Sequence, residues 1–304
     1  MNRRDAVKAG LVLGAAAVAP CQSLFAQQET LIQRKIPSSG ESLPVIGIGT
    51  ARRYDVGPDA PVRAELKEVL RRFAAAGGRV IDTAPSYGAA ESVVGDLVAD
   101  LGIRKPLFIA TKVGARQKEA GLRQIEESFR KLRTQQIDCI AVHNLMNTAE
   151  HLAVLRDLKQ AGRIRYFGIS TSFDGQYAEF EDVIRKERLD FIQVDYALDN
   201  RDAADRIIPL AADRGAGVMV NLPFGRGRLF QAVQNTQLPA WAAEFDCRSW
   251  AQFFLKYIVS HPAITCAIPG TAQTKYVPDN LGAARGRLPD ARMRRRMEEF
   301  IDKV

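Results

Sequence analysis

Asp82, Lys112 and His143 each stand at the end of a short apolar run. Tyr87 follows Asp82 in the loop Thr83-Ala84-Pro85-Ser86-Tyr87-Gly88. Brought to one point, these four side chains can deliver a proton to an oxygen on which negative charge develops, as when hydride adds to a carbonyl. A free phenol with a pKa of about 10 is a weak acid at neutral pH, and a neighbouring ammonium lowers that value by favouring the phenolate. On this reading Tyr87 gives the proton, Lys112 lowers its pKa, and Asp82 keeps Lys112 charged and oriented. A neutral His143 aligns the accepting oxygen through one ring N–H. Taken singly, each has a plain structural explanation: a turn cap, a rim charge, a satisfied polar group, a packed loop ring. The chemistry requires that the chain bring them together.

The elements that would do so are legible as a pattern. Eight short runs rich in Val and Ile occupy residues 44–49, 79–82, 107–112, 137–143, 164–170, 191–195, 217–221 and 264–268. Amphipathic stretches at 64–75, 90–101, 121–132 and 148–161 lie between them. Continuous apolar strands alternating with helices indicate a parallel sheet covered on both faces. Eight such units predict an α/β fold, a (β/α)₈ TIM barrel of one domain over residues 27–304, whose chemistry gathers at the C-terminal rim of the strands. A hairpin at 31–43 is expected to close the barrel floor. Gly47-Ile48-Gly49 does not open a dinucleotide-binding Rossmann unit, because Arg52 stands where the third glycine is needed.

The chain has 304 residues, 46% hydrophobic and 26% charged, the balance of a folded globular protein. Its four cysteines (Cys21, Cys139, Cys247, Cys266) form no CxxC pair, and no two of its three histidines are spaced as metal ligands, so no metal site is expected. The net charge of +8 is scattered and lacks an aromatic-interleaved patch, which argues against nucleic acid as a partner. Residues 1–26 read as an export signal: Arg3-Arg4 and Lys8, an apolar stretch at 9–20, then small residues up to Ala26. The apolar stretch is too short to span a bilayer core, which needs roughly 20 helical residues, so no stable membrane anchor is expected. The paired arginines resemble the twin-arginine type, which implies the twin-arginine export machinery as a partner and a periplasmic location.

The chain as a whole resembles the aldo-keto reductase superfamily. The stretches that carry the resemblance are IGIGT at 46–50, IDTAPSYGAAE at 81–91, FIATK at 108–112, IDCIAVHN at 137–144, GISTS at 168–172 and FIQVDY at 191–196. PFGRG at 223–227 and IPGTAQTKYVPDN at 268–280 complete the series. The resemblance implies an NAD(P)H-dependent oxidoreductase interconverting an aldehyde or ketone with an alcohol, with Asp82, Tyr87, Lys112 and His143 in the roles above. The alternative is a cofactor-binding regulatory or partner subunit on the same barrel with little turnover.

The implied cofactor is NADP(H) in preference to NAD(H), laid across the barrel mouth. Ser170, Thr171 and Gln193 match the positions that hold its carboxamide, and Gly49 and Thr50 belong to the same mouth. Asn221 stands where many relatives carry a Tyr that stacks on the nicotinamide. Pro223, Gly225, Arg226 and Gly227, with Arg228, form a loop whose glycines permit close backbone approach and whose arginines can pair with pyrophosphate. Gly270, Thr271, Lys275 and Asn280 follow the eighth run, where a helix starting near Thr274 would receive a phosphate. Phe224 is expected to give apolar cover, and Tyr54, Phe173, Trp241 and Trp250 are candidate pocket walls.

Overall fold

The computed structural model describes residues 30–58 and 60–304, so residues 1–26, expected from sequence to be an export signal, lie outside the described residues. Two short strands, β1 (Gln33–Lys35) and β2 (Ser42–Pro44), pair antiparallel. Eight parallel strands follow: β3 (Ile48–Gly49), β4 (Val80–Asp82), β5 (Phe108–Val113) and β6 (Ile137–His143), then β7 (Ile164–Ser170), β8 (Phe191–Asp195), β9 (Gly217–Asn221) and β10 (Ile264–Ala267). Each pairs with the next. Parallel bridges from Ile46 to Ala267 and from Gly49 to Gly270 close the sheet between β3 and β10. The helices α1 (Val62–Ala75), α2 (Ala90–Leu101), α3 (Lys118–Lys131), α4 (Thr148–Gln160), α5 (Tyr177–Lys186) and α6 (Ile207–Asp213) alternate with the strands. After β9 come α7 (Arg228–Ala232) and α8 (Trp250–Val259); α9 (Tyr276–Gly282) and α10 (Ala291–Ile301) follow β10. The chain is the (β/α)₈ barrel of one domain that its pattern predicts.

The strands separate two cores by their two-residue alternation. Ile81, Ile109, Ile140, Ile169, Ile192 and Val218 face outward and pack with the helices. Val80, Phe108, Cys139, Tyr166, Phe191 and Met219 form a second cluster inside the barrel. Ile36 and Leu43 of the first hairpin join that inner cluster, so the hairpin does close the floor. The run at 44–49 divides: Pro44 stays with the hairpin, and only Ile48 and Gly49 are regular strand. Gly47 makes the crowding there tolerable, since a Cβ would sit 2.9 Å from the Val80 side chain. Following the inward phase toward the C-terminal rim gives Asp82, Lys112, His143, Ser170, Gln193 and Asn221 in turn. The barrel's own register sets the site.

Candidate active site

Lys112 is 2% exposed, and its ammonium is fully engaged. It donates to Asp82 Oδ1 at 2.8 Å, Asp82 Oδ2 at 2.9 Å and the Thr83 carbonyl at 2.9 Å. Its Nζ lies 5.3 Å from the centre of the Tyr87 ring. Burial pulls the Lys112 ammonium down, but the Asp82 carboxylate and Tyr87 outweigh it, and the net shift is upward. The charge is therefore secure at neutral pH. For Tyr87 burial is the larger effect, and its pKa rises in spite of Lys112. This corrects the expectation that the ammonium would leave the phenol below its ordinary value: desolvation penalises the phenolate more than one neighbouring charge stabilises it.

His143 faces Tyr87 edge to face, with ring centres 6.1 Å apart. Burial, reinforced by the Lys112 charge, pushes its imidazole down to about 4. It is neutral at physiological pH and can present one N–H. Ser86 Oγ lies 3.5 Å from its Nδ1. The three strand-end residues and the loop residue Tyr87 thus stand together at one end of the barrel.

The other expected contacts divide. Gln193 Nε2 donates to Asp82 Oδ1 at 2.8 Å, so Gln193 orients the same carboxylate that holds Lys112. Thr50 is spent on structure, since both its amide and its hydroxyl donate to the Asp82 carbonyl at 3.0 Å. Gly49 is required by barrel closure, because a Cβ would meet the Ile268 carbonyl at 2.7 Å. Ser170 Oγ bonds to the Val142 carbonyl at 3.3 Å. The Thr171 hydroxyl, expected to be available, donates to Gln176 Oε1 at 2.6 Å.

Asn221 Nδ2 donates to the Thr171 carbonyl at 3.2 Å, while its Oδ1 is buried without a partner. Glu91, not singled out from sequence, accepts from Thr111 Oγ1 at 2.6 Å and ties α2 to β5 next to Lys112. Its position in the 81–91 stretch was the signal available.

After β9, Pro223 and Gly225 are buried while Arg226 is exposed at the rim. Gly227 has φ of +97°, a conformation that favours glycine. Arg228 is already paired with Asp199 at 2.9 Å, so of the two arginines only Arg226 is without a carboxylate partner among the described residues. A cavity of about 580 Å³ opens at the ends of β7, β8 and β9, lined by Phe173, Asp174, Asp195, Tyr196, Leu222 and Arg226 among others. Burial pushes the Asp195 carboxyl up, and its partners are Tyr177 at 3.3 Å and Asn200 at 2.7 Å.

Asp195 was missed in the sequence, although it stands two residues beyond Gln193 in the inward phase. Phe173 does line the cavity. Phe224 instead packs on Phe230, and Trp241 and Trp250 pack with Phe253 and Phe300. Tyr54 is buried with its hydroxyl 3.3 Å from the Thr271 carbonyl.

Beyond β10, Asn280 Nδ2 donates to Thr271 Oγ1 at 2.9 Å, and both residues are buried. They shape the loop from within. The Thr274 amide, expected to await a phosphate, donates to Glu65 Oε1 at 2.7 Å. Lys275 Nζ lies 4.9 Å above the Tyr276 ring. At Gly270, unlike Gly49 across the same closure, a Cβ would meet nothing nearer than Arg53 Cγ at 3.8 Å, so the space over it is open to a ligand. An open cradle at Gly270 and an unpaired acceptor at Asn221 suit a dinucleotide spread over the mouth. No cluster of His, Cys, Asp and Glu able to hold a metal ion occurs among the described residues. None of their helices is long and apolar enough to cross a membrane.

The sequence pattern of the Aldo/keto reductase family matches residues 45–301. The methylglyoxal reductase YeaE of Escherichia coli is 29% identical over 270 residues, which is 86% of this chain and 93% of that protein. The aldo-keto reductase YhdN of Bacillus subtilis is 30% identical over 177 residues, 53% of each chain. An aldo-keto reductase of Klebsiella pneumoniae, solved in complex with NADPH, superposes with a TM-score of 0.74 at 24% identity, covering 90% of this chain and 95% of that one. The holo form of an aldo-keto reductase from Bacillus halodurans superposes with a TM-score of 0.72 at 22% identity, over 88% and 96% of the respective chains.

Proposed function

The chain belongs to the aldo/keto reductase family and is an NAD(P)H-dependent oxidoreductase of carbonyl compounds, and we propose that Tyr87 is its proton donor, served by Asp82, Lys112 and His143. The observation that carries this reading is the buried Lys112–Asp82 pair at 2.8 Å set against the Tyr87 ring, with a neutral His143 on the other side. Burial keeps Tyr87 protonated before reaction. As negative charge grows on the substrate oxygen, Tyr87 passes its proton and the nascent phenolate is met by the Lys112 ammonium. His143 N–H aligns that oxygen, and Asp82, itself held by Gln193, keeps Lys112 in place. A reduced nicotinamide, when bound, supplies the hydride that reaches the carbonyl carbon, so the product is the alcohol.

The dinucleotide is NADP(H) in preference to NAD(H), a reading supported by the Klebsiella relative's structure with NADPH. Ser170, Gln193 and Asn221 would meet the nicotinamide end, and Arg226, Gly227 and Gly270 the phosphates. Lys275, immediately before α9, would pair with a 2′-phosphate there. The substrate is a small aldehyde or ketone, in keeping with the named activity of the Escherichia relative.

Tyr87→Phe tests the assignment, because Phe keeps the ring and loses the proton. Reduction of an aldehyde panel with NADPH is expected to fall by about 10²- to 10⁴-fold while dinucleotide affinity is nearly unchanged. Full turnover by the variant would remove Tyr87 from the role.

Residues 1–26 are a twin-arginine signal in this reading, and residues 27–304 act in the periplasm after export in the folded state. The dinucleotide site exists only once the barrel loops are assembled, so the protein is expected to load its cofactor before export. Replacing Arg3 and Arg4 by Lys should retain the protein in the cytoplasm. Nucleotide released by denaturing the periplasmic protein should be NADP(H), and an empty exported protein would sink the loading idea.

A further inference from the structure

Asn221 is the last residue of β9 and stands on the inward phase, two positions beyond Met219 of the inner core. Its amide is locked in one orientation. Nδ2 donates to the Thr171 carbonyl at 3.2 Å, and turning the amide over would set two acceptor oxygens against each other. The outcome is an Oδ1 that is buried and unpaired. A buried acceptor left without a partner is unfavourable, and a donor brought by a ligand would relieve it. The neighbours do not supply one: Gln193 commits its Nε2 to Asp82, Thr171 its hydroxyl to Gln176, and Ser170 its hydroxyl to the Val142 carbonyl.

We propose that Asn221 Oδ1 is a recognition site for the carboxamide N–H₂ of the nicotinamide, so that this position grips the edge of the ring through a hydrogen bond where many relatives place a ring to stack on its face. The assignment rests on the dinucleotide reading above and goes further by naming the atom and the ligand group. A stacking residue accepts any flat heterocycle. An oriented acceptor discriminates among them, because it rewards only a donor at the carboxamide position.

The test uses the 3-acetylpyridine analogue of NADP⁺, in which a methyl group replaces the N–H₂ and the carbonyl is retained. Affinities for the full-length protein are measured by fluorescence titration. Wild-type protein is expected to bind NADP⁺ about tenfold more tightly than the analogue. In Asn221→Leu, NADP⁺ should weaken, the analogue should change little, and the preference should shrink about threefold or more. Binding of 2′-phospho-ADP-ribose, which lacks the nicotinamide, should be the same in both proteins. A fall in that control affinity would assign Asn221 to loop structure and overturn the proposal. Equal affinity of the wild type for the two dinucleotides, with turnover intact, would overturn it and leave the reductase reading standing. Failure of the wild type to bind any dinucleotide would overturn both.

Discussion

Tyr87 sits between two opposing influences, and their balance decides how it works. Desolvation holds it above its ordinary value, while the Lys112 ammonium pulls down. The proton is therefore retained until charge appears on the substrate oxygen, when the ammonium has something to stabilise that it lacked before. His143 is the complementary case, neutral because burial pushes it to about 4. The reaction needs Tyr87 protonated and His143 neutral, conditions met together above about pH 4 and below the raised range of the Tyr87 phenol. Carbonyl reduction at saturating NADPH is expected to be flat from about pH 6 to pH 9. The acid limb should fall near 4 and move or vanish in His143→Gln. A limb centred near pH 7 in the wild type would show that another group controls the step.

At the scale of elements, the strands act as rulers. Because side chains alternate, each run that packs a residue in the inner core delivers its polar successor to the mouth. The ruler is only as good as the spacing between strands, and Gly168 sets it between β7 and β8. It pairs with Phe191, and a Cβ there would lie 1.9 Å from the Phe191 carbonyl oxygen. Gly168→Ala must push β8 aside and carry Gln193 away from Asp82. A loss of more than about 3 kcal/mol in unfolding free energy is expected, with activity lost in the fraction that folds. Gly270→Ala is the control, since its Cβ has room and its melting temperature should match the wild type. Denaturant titration of the two variants separates a packing glycine from a ligand-facing one.

Over the whole molecule, the same burial that prepares the site makes the fold sensitive to acid. His143 and His261 both titrate near 4, each driven down first by burial. In the unfolded chain they return to about 6.5. Between those values the unfolded chain binds more protons than the native one, so stability falls as pH falls. The contribution is complete above about pH 6.5 and is lost as pH drops through 4, on the order of 2–4 kcal/mol for the pair once solvent screening is allowed for. Melting temperatures recorded between pH 7 and pH 4 should decline. The double variant His143→Gln, His261→Gln should flatten the slope, and an unchanged slope would place the acid sensitivity in other groups.

The amino-acid sequence alone determined the barrel and the members of its central site. Hydrophobic alternation is a local property, and a strand-end Asp, Lys or His is legible once the eight runs are counted. Tertiary structure alone decided which polar atoms are spent and which are free. Thr50, Thr171, Thr271 and Asn280 look like ligand contacts in sequence, yet their hydrogen bonds turn inward to the protein. Gln193 reaches Asp82 across the barrel from a residue far away in the chain, and Glu65 reaches the Thr274 amide in the same way. The upward shift of Tyr87 and the unpaired oxygen of Asn221 belong to this second class. Both depend on how completely water is excluded and which neighbour takes the other half of an amide, quantities set by packing between segments distant in sequence.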